Sequence, residues 1–128
     1  MAKVLIAELE GLVLDWAVTK CEEPIGGYKR WVQADLDNGI LHGGHYSTDW
    51  LWGGEIIERE MITADWTGSP MQGGVCRATI HGKEGANFGP TPLVAAMRRY
   101  VASKHKEAFI EVPDQLVNAE MQAERPRG

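Results

Sequence analysis

Two short stretches carry the residues best suited to binding chemistry. The first is YSTDW, in which two aromatic rings flank two hydroxyls and a carboxylate. Aromatic faces stack on nucleobases, and the polar groups can hydrogen-bond to a ribose or a base edge. The alternative is a loop whose polar side chains bond to their own backbone while the tryptophans fill the core. We predict that the whole stretch contacts a ligand: Tyr46, Ser47, Thr48, Asp49 and Trp50.

The second stretch is GPTPL, at the start of a helical pattern. Thr91 is predicted to cap this helix and Pro92 to occupy its first position. A helix N-terminus attracts anions through its free N–H groups and its partial positive charge. Arg98 follows about two turns later on the same face and is predicted to reach back toward a bound phosphate. The alternative is a capped helix in which Arg98 pairs with a surface carboxylate.

The segment EIIERE is a dense charged run after a double glycine. Its glycine neighbours favour an extended segment, in which Glu58 and Glu60 share one face and Arg59 takes the other. Two carboxylates on one face can do acid–base work or hold a divalent ion, although such a run is more often a solvated face. An inward-facing Arg59 would pair with a carboxylate or with a ligand phosphate.

Metal binding and catalysis have little support in the sequence. His42 and His45 are three residues apart, without a clear third ligand. Cys21 and Cys76 belong to no metal-binding motif and are predicted to be reduced thiols. No nucleophile elbow, Walker loop or dinucleotide fingerprint is present. We therefore predict no metal, no cofactor and no catalytic residue. An enzyme is the least favoured class of function, and the enzyme considered is a hydrolase that uses Glu58, Glu60 or Asp49.

The composition of the chain limits the classes of partner that the protein can bind. A net charge of −5 and a pI of about 5.3 disfavour general nucleic-acid binding, which needs basic surface. The 128 residues suffice for one domain. Neither a signal peptide nor a membrane-spanning run is apparent, so we expect a soluble intracellular protein.

The hydrophobic pattern predicts the elements around these stretches. Helical spacing of apolar residues within Glu8–Glu22 places Trp16 in the core, and a second helical pattern follows Thr91. Alternation predicts a strand at Val75–His81, and further strands are expected at Tyr28–Leu36, at EIIEREMI and at FIEV. We predict an α+β fold, with a small mostly antiparallel sheet packed with two main helices in two layers. Residues 1–112 form the predicted domain, and 113–128 a C-terminal helix or flexible tail.

Three blocks of the sequence resemble the NinX family of phage and prophage proteins. They are ELEGLVLDWAVTKCE, YSTDWLWGGEIIEREMI and FGPTPLVAAMRRYVASK, in that order. The chain departs from the family pattern at Leu51 and Trp52, at Glu55 and at Arg99. The segments 25–45 and 67–87 match nothing in that pattern. The resemblance implies a phage-encoded protein acting in the cytoplasm of an infected bacterium, but it brings no reaction with it.

Two functions follow as hypotheses. The first is a non-catalytic binder of a nucleotide-like anionic small molecule, with sequestration of a host immune signalling nucleotide as its use. The second is an adaptor or inhibitor that binds a host or phage protein of replication or defence, because exposed tryptophans also favour protein interfaces. We expect neither nucleic acid nor membrane as a partner. An aromatic-rich sheet edge further suggests a homo-oligomer, whose site can lie between subunits.

Overall fold

The described part of the chain forms five strands and three main helices, which confirms the α+β class. The computed structural model describes residues 1–23, 45–68 and 74–117. The strands are β1 (Ala2–Leu5), β2 (Ile62–Trp66), β3 (Cys76–Ile80), β4 (Asn87–Gly89) and β5 (Phe109–Val112). The helices are α1 (Gly11–Glu22), α2 (Trp50–Glu60) and α3 (Pro92–Ser103). A 3-10 turn spans Ile6–Glu8, and a helical turn occupies 114–117.

The strands form two antiparallel sheets where the sequence predicted one. In the larger sheet the order is β2-β3-β4, with Ile62 opposite Ile80 and Cys76 opposite Gly89. The smaller sheet joins β1 to β5, with Ala2 opposite Val112. The FIEV strand is thus confirmed as β5. Its partner β1 was missed, because four residues give too short a pattern for a strand to be predicted.

The alternation predicted around β3 is confirmed. Cys76, Ala78 and Ile80 are buried, whereas Arg77 is exposed. Because side-chain direction in a strand repeats every two residues, alternate side chains lie on opposite faces of the sheet. The buried face of β3 therefore lies toward the helices, against which the larger sheet packs.

Helix α3 is the centre of the fold. It contacts all three strands of the larger sheet and also α1 and α2. The helical pattern after Thr91 predicts one apolar stripe, formed by Leu93, Val94, Met97, Tyr100 and Val101. All five are buried, and Tyr100 is completely inaccessible. Its start is also as predicted: Thr91 accepts a hydrogen bond from the Val94 N–H at 3.2 Å, and Pro92 is the first helical residue.

Helix α1 confirms the first helical pattern, with Trp16 only 9% exposed. The helix begins at Gly11 rather than at Glu8, which lies in the preceding 3-10 turn. The helical spacing of the sequence sets Asp15 and Thr19 off the apolar stripe, and this expectation was wrong, since both are buried. The Thr19 hydroxyl donates to the Asp15 carbonyl oxygen at 2.9 Å. The buried surface of α1 is therefore wider than its apolar stripe, because it includes polar side chains with internal partners.

The largest correction concerns EIIERE, which was predicted to be extended after a glycine turn and is instead part of α2. Asp49 caps this helix by accepting a hydrogen bond from the Leu51 N–H at 2.9 Å, and Met61 ends it in the left-handed conformation at φ 55°. Gly53 lies inside the helix and lets it approach the chain before it: a Cβ there would overlap the Tyr46 carbonyl oxygen and lie 2.6 Å from Leu93 Cδ2. The glycine thus permits close packing rather than a turn.

Some predictions fall outside the described residues. The strand at Tyr28–Leu36, the glycine pairs before His45, and His42 all lie there. Most of the predicted tail lies there too, beyond the helical turn at 114–117. The single domain over 1–112 stays a prediction.

Candidate functional site

The YSTDW stretch forms a short turn that leads into α2. The Asp49 N–H donates to the His45 carbonyl oxygen at 2.9 Å, and the Asp49 carboxylate then caps the helix. The Tyr46 ring is buried and meets Trp52 edge to face, with ring centroids 5.8 Å apart. The Ser47 N–H donates to Asp15 Oδ1 at 2.8 Å, which fixes the turn against α1. Trp50, by contrast, is 57% exposed.

A cavity of about 290 Å³ lies between this turn and the start of α3. The two predicted stretches therefore meet, although they are far apart in sequence. Five of the predicted ligand residues line the cavity, together with two that the sequence did not single out. Its lining is Ser47, Thr48, Trp50, Thr91, Pro92, Leu93 and Val94.

The polar groups around this cavity are few and neutral. Ser47 is buried, and its hydroxyl has no hydrogen-bond partner among the described residues. In the first turn of α3, the Val94 N–H is taken by the Thr91 hydroxyl and the Ala95 N–H by the Thr91 carbonyl oxygen. Pro92 has no N–H, so Leu93 carries the remaining donor of that turn. The lining thus includes three hydroxyl-bearing residues, Ser47, Thr48 and Thr91, beside the Trp50 ring.

Tyr46 and Asp49 support this cavity rather than line it. The Tyr46 ring packs beneath the turn, and the Asp49 side chain is occupied with the cap of α2. Direct ligand contact by these two residues stays a prediction.

Arg59 lies elsewhere, in a cluster that joins the C-terminal parts of all three helices. Its guanidinium donates to both oxygens of the Glu22 carboxylate, at 3.0 and 2.7 Å, and to the Tyr100 hydroxyl at 3.2 Å. It also donates to Glu60 at 3.0 Å. Of the two partners considered for an inward-facing Arg59, the carboxylate is the one observed, and contact of Arg59 with a ligand stays a prediction. The predicted separation of Arg59 and Glu60 onto opposite faces was wrong, because the segment is helical and the long side chains converge.

The cluster shifts the pKa of two of its members, Arg59 and Tyr100. Hydrogen bonding to Glu22 raises the pKa of Arg59, because the carboxylate favours the charged guanidinium. Burial, followed by the hydrogen bond to Glu22, raises the pKa of Tyr100. At neutral pH the cluster therefore holds a neutral phenol beside an ion pair. The sequence did not indicate Glu22 or Tyr100, since nothing local links residues from three separate helices.

Arg98 does not reach the cavity beside Trp50. It is buried at mid-helix, where its Nε donates to the Leu9 carbonyl oxygen at 2.7 Å and its Nη1 to the Phe88 carbonyl oxygen at 2.8 Å. It lines a second cavity of about 320 Å³ on the side of β4. Among the described residues, the surface carboxylate considered for Arg98 is not its partner, and contact of Arg98 with a ligand phosphate stays a prediction. The partners are backbone carbonyls.

Other kinds of site find no support in the described ranges. No group of three His, Cys, Asp or Glu side chains that could hold a metal ion occurs there. Both cysteines are free, with Cys21 partly buried and Cys76 buried. None of the helices in the described ranges is long and apolar enough to cross a membrane.

Comparison with known proteins agrees with the family resemblance carried by the three sequence blocks. Comparison with curated proteins found no match. A family model described as "Bacteriophage P22, NinX" matches residues 5–104 and so includes both walls of the cavity between the YSTDW turn and α3. The chain belongs to this phage NinX family.

Proposed function

We propose that the protein is a non-catalytic binder of a nucleotide-like anionic small molecule, held in the cavity between the YSTDW turn and α3. The observation that carries this proposal is the meeting of Trp50 with Thr91 around one cavity that also contains the buried, unpartnered Ser47 hydroxyl. A buried polar group without a partner is costly, and a ligand that hydrogen-bonds to it recovers that cost.

The chemistry of the walls favours a flat ring with polar edges. Trp50 offers an accessible indole face, and Pro92 and Val94 add apolar surface. Apolar walls with a few placed polar groups are typical of small-molecule sites, although this cavity is at the small end of their range. A nucleobase matches both properties, since its faces stack on aromatic rings and its edges donate and accept hydrogen bonds.

The lining residues also support binding without turnover. None of the seven has an ionisable side chain, and general acid–base catalysis needs such a group within reach of the substrate. The carboxylates considered for a hydrolase lie outside this lining: Asp49 caps α2, and Glu60 pairs with Arg59. We therefore propose binding rather than reaction.

Sequestration of a host immune signalling nucleotide, in the cytoplasm of an infected bacterium, is the use we propose for this binding. Its support is the phage family to which the chain belongs. A sequestering protein must return its ligand chemically unchanged. Mass spectrometry of ligand released by heat therefore tests this use, and recovery of a converted product would refute it.

The binding itself is tested by calorimetry and thermal shift against nucleotides and cyclic dinucleotides. Trp50→Ala should weaken binding by about 5- to 150-fold, the loss expected when one stacking face worth ~1–3 kcal/mol is removed. Ser47→Ala should also weaken binding, yet leave the free protein as stable or more so, because an unpaired buried hydroxyl disappears. Trp66→Ala is the matched control, since Trp66 is 45% exposed on β2 and does not line the cavity. Equal affinity in all three variants would exclude this site.

A second candidate function is an adaptor that binds a host or phage protein. It is favoured by one observation: Trp50 and the neighbouring Leu51, which is 80% exposed, form adjacent apolar surface at the start of α2. Tryptophan is a frequent anchor of protein interfaces. Leu51→Lys should then abolish the protein complex while leaving nucleotide binding intact, whereas the sequestering protein should tolerate this change. Light scattering of the purified chain tests the homo-oligomer that we also propose.

A further inference from the structure

Arg98 is a buried cation whose hydrogen bonds within the described residues go to neutral groups. The residue is 9% exposed, and its Nε and Nη1 donate to the carbonyl oxygens of Leu9 and Phe88. A guanidinium has five N–H donors. Two of them are used by partners in the described ranges, and three have no partner there.

The charge of Arg98 has no close counterion in the described ranges. No carboxylate there lies within ion-pair distance of its guanidinium. Burial lowers the pKa of Arg98, and Glu10 and Glu8 act in the opposite direction from farther away. Arg59 shows the usual arrangement for comparison, because both oxygens of Glu22 face it. Buried charges in proteins are normally paired, since leaving one unpaired is costly.

The unpaired cation opens onto the cavity of about 320 Å³ beside β4. Apolar side chains and backbone form most of its walls. Asn87 is the other polar side chain in the lining and supplies an amide donor. The lining is Ala7, Val75, Ala86, Asn87, Phe88, Gly89, Pro90 and Arg98.

We propose that this second cavity binds a phosphate-type oxyanion, held by the remaining N–H groups of Arg98 with the Asn87 amide beside them. The planar guanidinium fork matches the spacing of oxygens in phosphate, and such charge-assisted bonds are stronger than those to neutral acceptors. The oxyanion replaces the missing counterion, and carbonyl bonds to Leu9 and Phe88 hold the fork in place before the anion arrives.

The site stands apart from the proposed nucleotide cavity and would survive if that cavity proved empty. The two are nevertheless close along the chain, because Pro90 lines one and Thr91 lines the other. The phosphate is therefore either free or the phosphate group of a nucleotide whose base occupies the first cavity. Both sources share the same chemistry at Arg98.

Inorganic phosphate is the first probe, titrated against chloride at equal ionic strength and followed by thermal shift and calorimetry. The informative variant is Asn87→Asp, which keeps the side-chain shape and introduces a carboxylate into the cavity as an internal partner for Arg98. It should weaken phosphate binding at least tenfold without lowering the basal Tm. Thr63→Asp is the matched control, because it adds the same charge at an exposed position of β2. An Arg98→Ala variant is less informative, since loss of both carbonyl bonds can unfold the chain.

Adenosine and adenosine monophosphate separate the two sources. If free phosphate binds the wild type and Asn87→Asp loses it, the site is supported with a free anion as ligand. If only the monophosphate binds, and Asn87→Asp weakens it toward the affinity of adenosine, the site is supported with a nucleotide as ligand. The proposal would be overturned if phosphate binds no better than chloride and if, in addition, Asn87→Asp binds the monophosphate as tightly as the wild type does. Trp50→Ala tests the first cavity independently, because it should leave inorganic phosphate binding unchanged.

Discussion

The two adjacent glycines of α2 provide the sharpest test of the packing. Alanine at either position should gain roughly 0.5–1 kcal/mol from its better helix propensity. At Gly54 nothing opposes this gain, because the new Cβ would lie 3.6 Å from the Trp50 ring, an ordinary contact. Gly54→Ala should therefore be stabilised by about that amount.

Gly53→Ala should have the opposite effect on the free energy of unfolding. Its Cβ would overlap the Tyr46 carbonyl oxygen and lie 2.6 Å from Leu93 Cδ2. The backbone there cannot move freely, because Tyr46 is buried and the next N–H, of Ser47, is bonded to Asp15 at 2.8 Å. Overpacking of this kind costs about 1–3 kcal/mol, so the net effect should be a loss of roughly 1–2 kcal/mol after the propensity gain.

Urea denaturation followed by circular dichroism measures both variants under the same conditions. We expect midpoints on opposite sides of the wild type with unchanged slopes, since a constant slope shows that the same surface is exposed on unfolding. The two variants should differ by about 1–3 kcal/mol, which is the overpacking cost alone, because the propensity gain is common to both and cancels. A Gly53→Ala protein as stable as Gly54→Ala would refute the close approach of α2 to the preceding turn.

Two further predictions concern charged and titratable groups. Arg59→Met should lower the free energy of unfolding in urea by about 2 kcal/mol, less than the ~3–5 kcal/mol for breaking a fully buried pair, because the Arg59 side chain is 37% exposed and that of Glu22 only 9%. The control Lys20→Met, at an exposed position, should lower it by less than ~0.5 kcal/mol. Equal losses in the two variants would contradict the buried pair. Burial, more than the neighbouring Glu22, raises the pKa of Cys21 from 9.0 to about 12. The folded chain thus binds the Cys21 thiol proton more tightly than the unfolded chain does. The contribution of this thiol to the free energy of unfolding is therefore fully present below pH 9.0 and declines as the pH rises from 9.0 toward about 12. The decline should be shallower in Cys21→Ser. Thiol labelling at pH ~8.5, near the ordinary thiol pKa, should modify Cys21 and buried Cys76 only after denaturation. Rapid labelling of the folded protein would contradict the burial of these thiols.

The features that the sequence predicted depend on neighbours within one turn of chain. Thr91 and Pro92 start α3 because a hydroxyl acceptor and a missing N–H suit those positions whatever surrounds them. The alternation of β3 likewise needs only a sheet with one buried face. Helix α2 was misassigned because the tertiary role of Gly53, close approach to Tyr46, cannot be distinguished locally from a turn.

The candidate site was predictable to a similar degree. The two stretches that line the cavity were identified from their side-chain chemistry, and the fold brings them together around it. Arg98 was expected at the wrong place because helical spacing gives its direction but not the carbonyls of Leu9 and Phe88 that hold it. Leu93 and Val94 were assigned to the core stripe, and only the fold shows that they also form a cavity wall.

The pairing of β1 with β5 has a consequence for how the chain is made. Ala2 lies opposite Val112, and the amino group of Met1 contacts Asp114 at 3.1 Å. At translation rates of about 5–20 residues per second, β1 is synthesised roughly 5–20 s before its partner strand. Helix α1 and the larger sheet can associate during this interval, whereas the smaller sheet forms last. Completion of the fold is therefore coupled to the synthesis of β5, and a nascent chain stalled before Phe109 should retain a protease-sensitive β1.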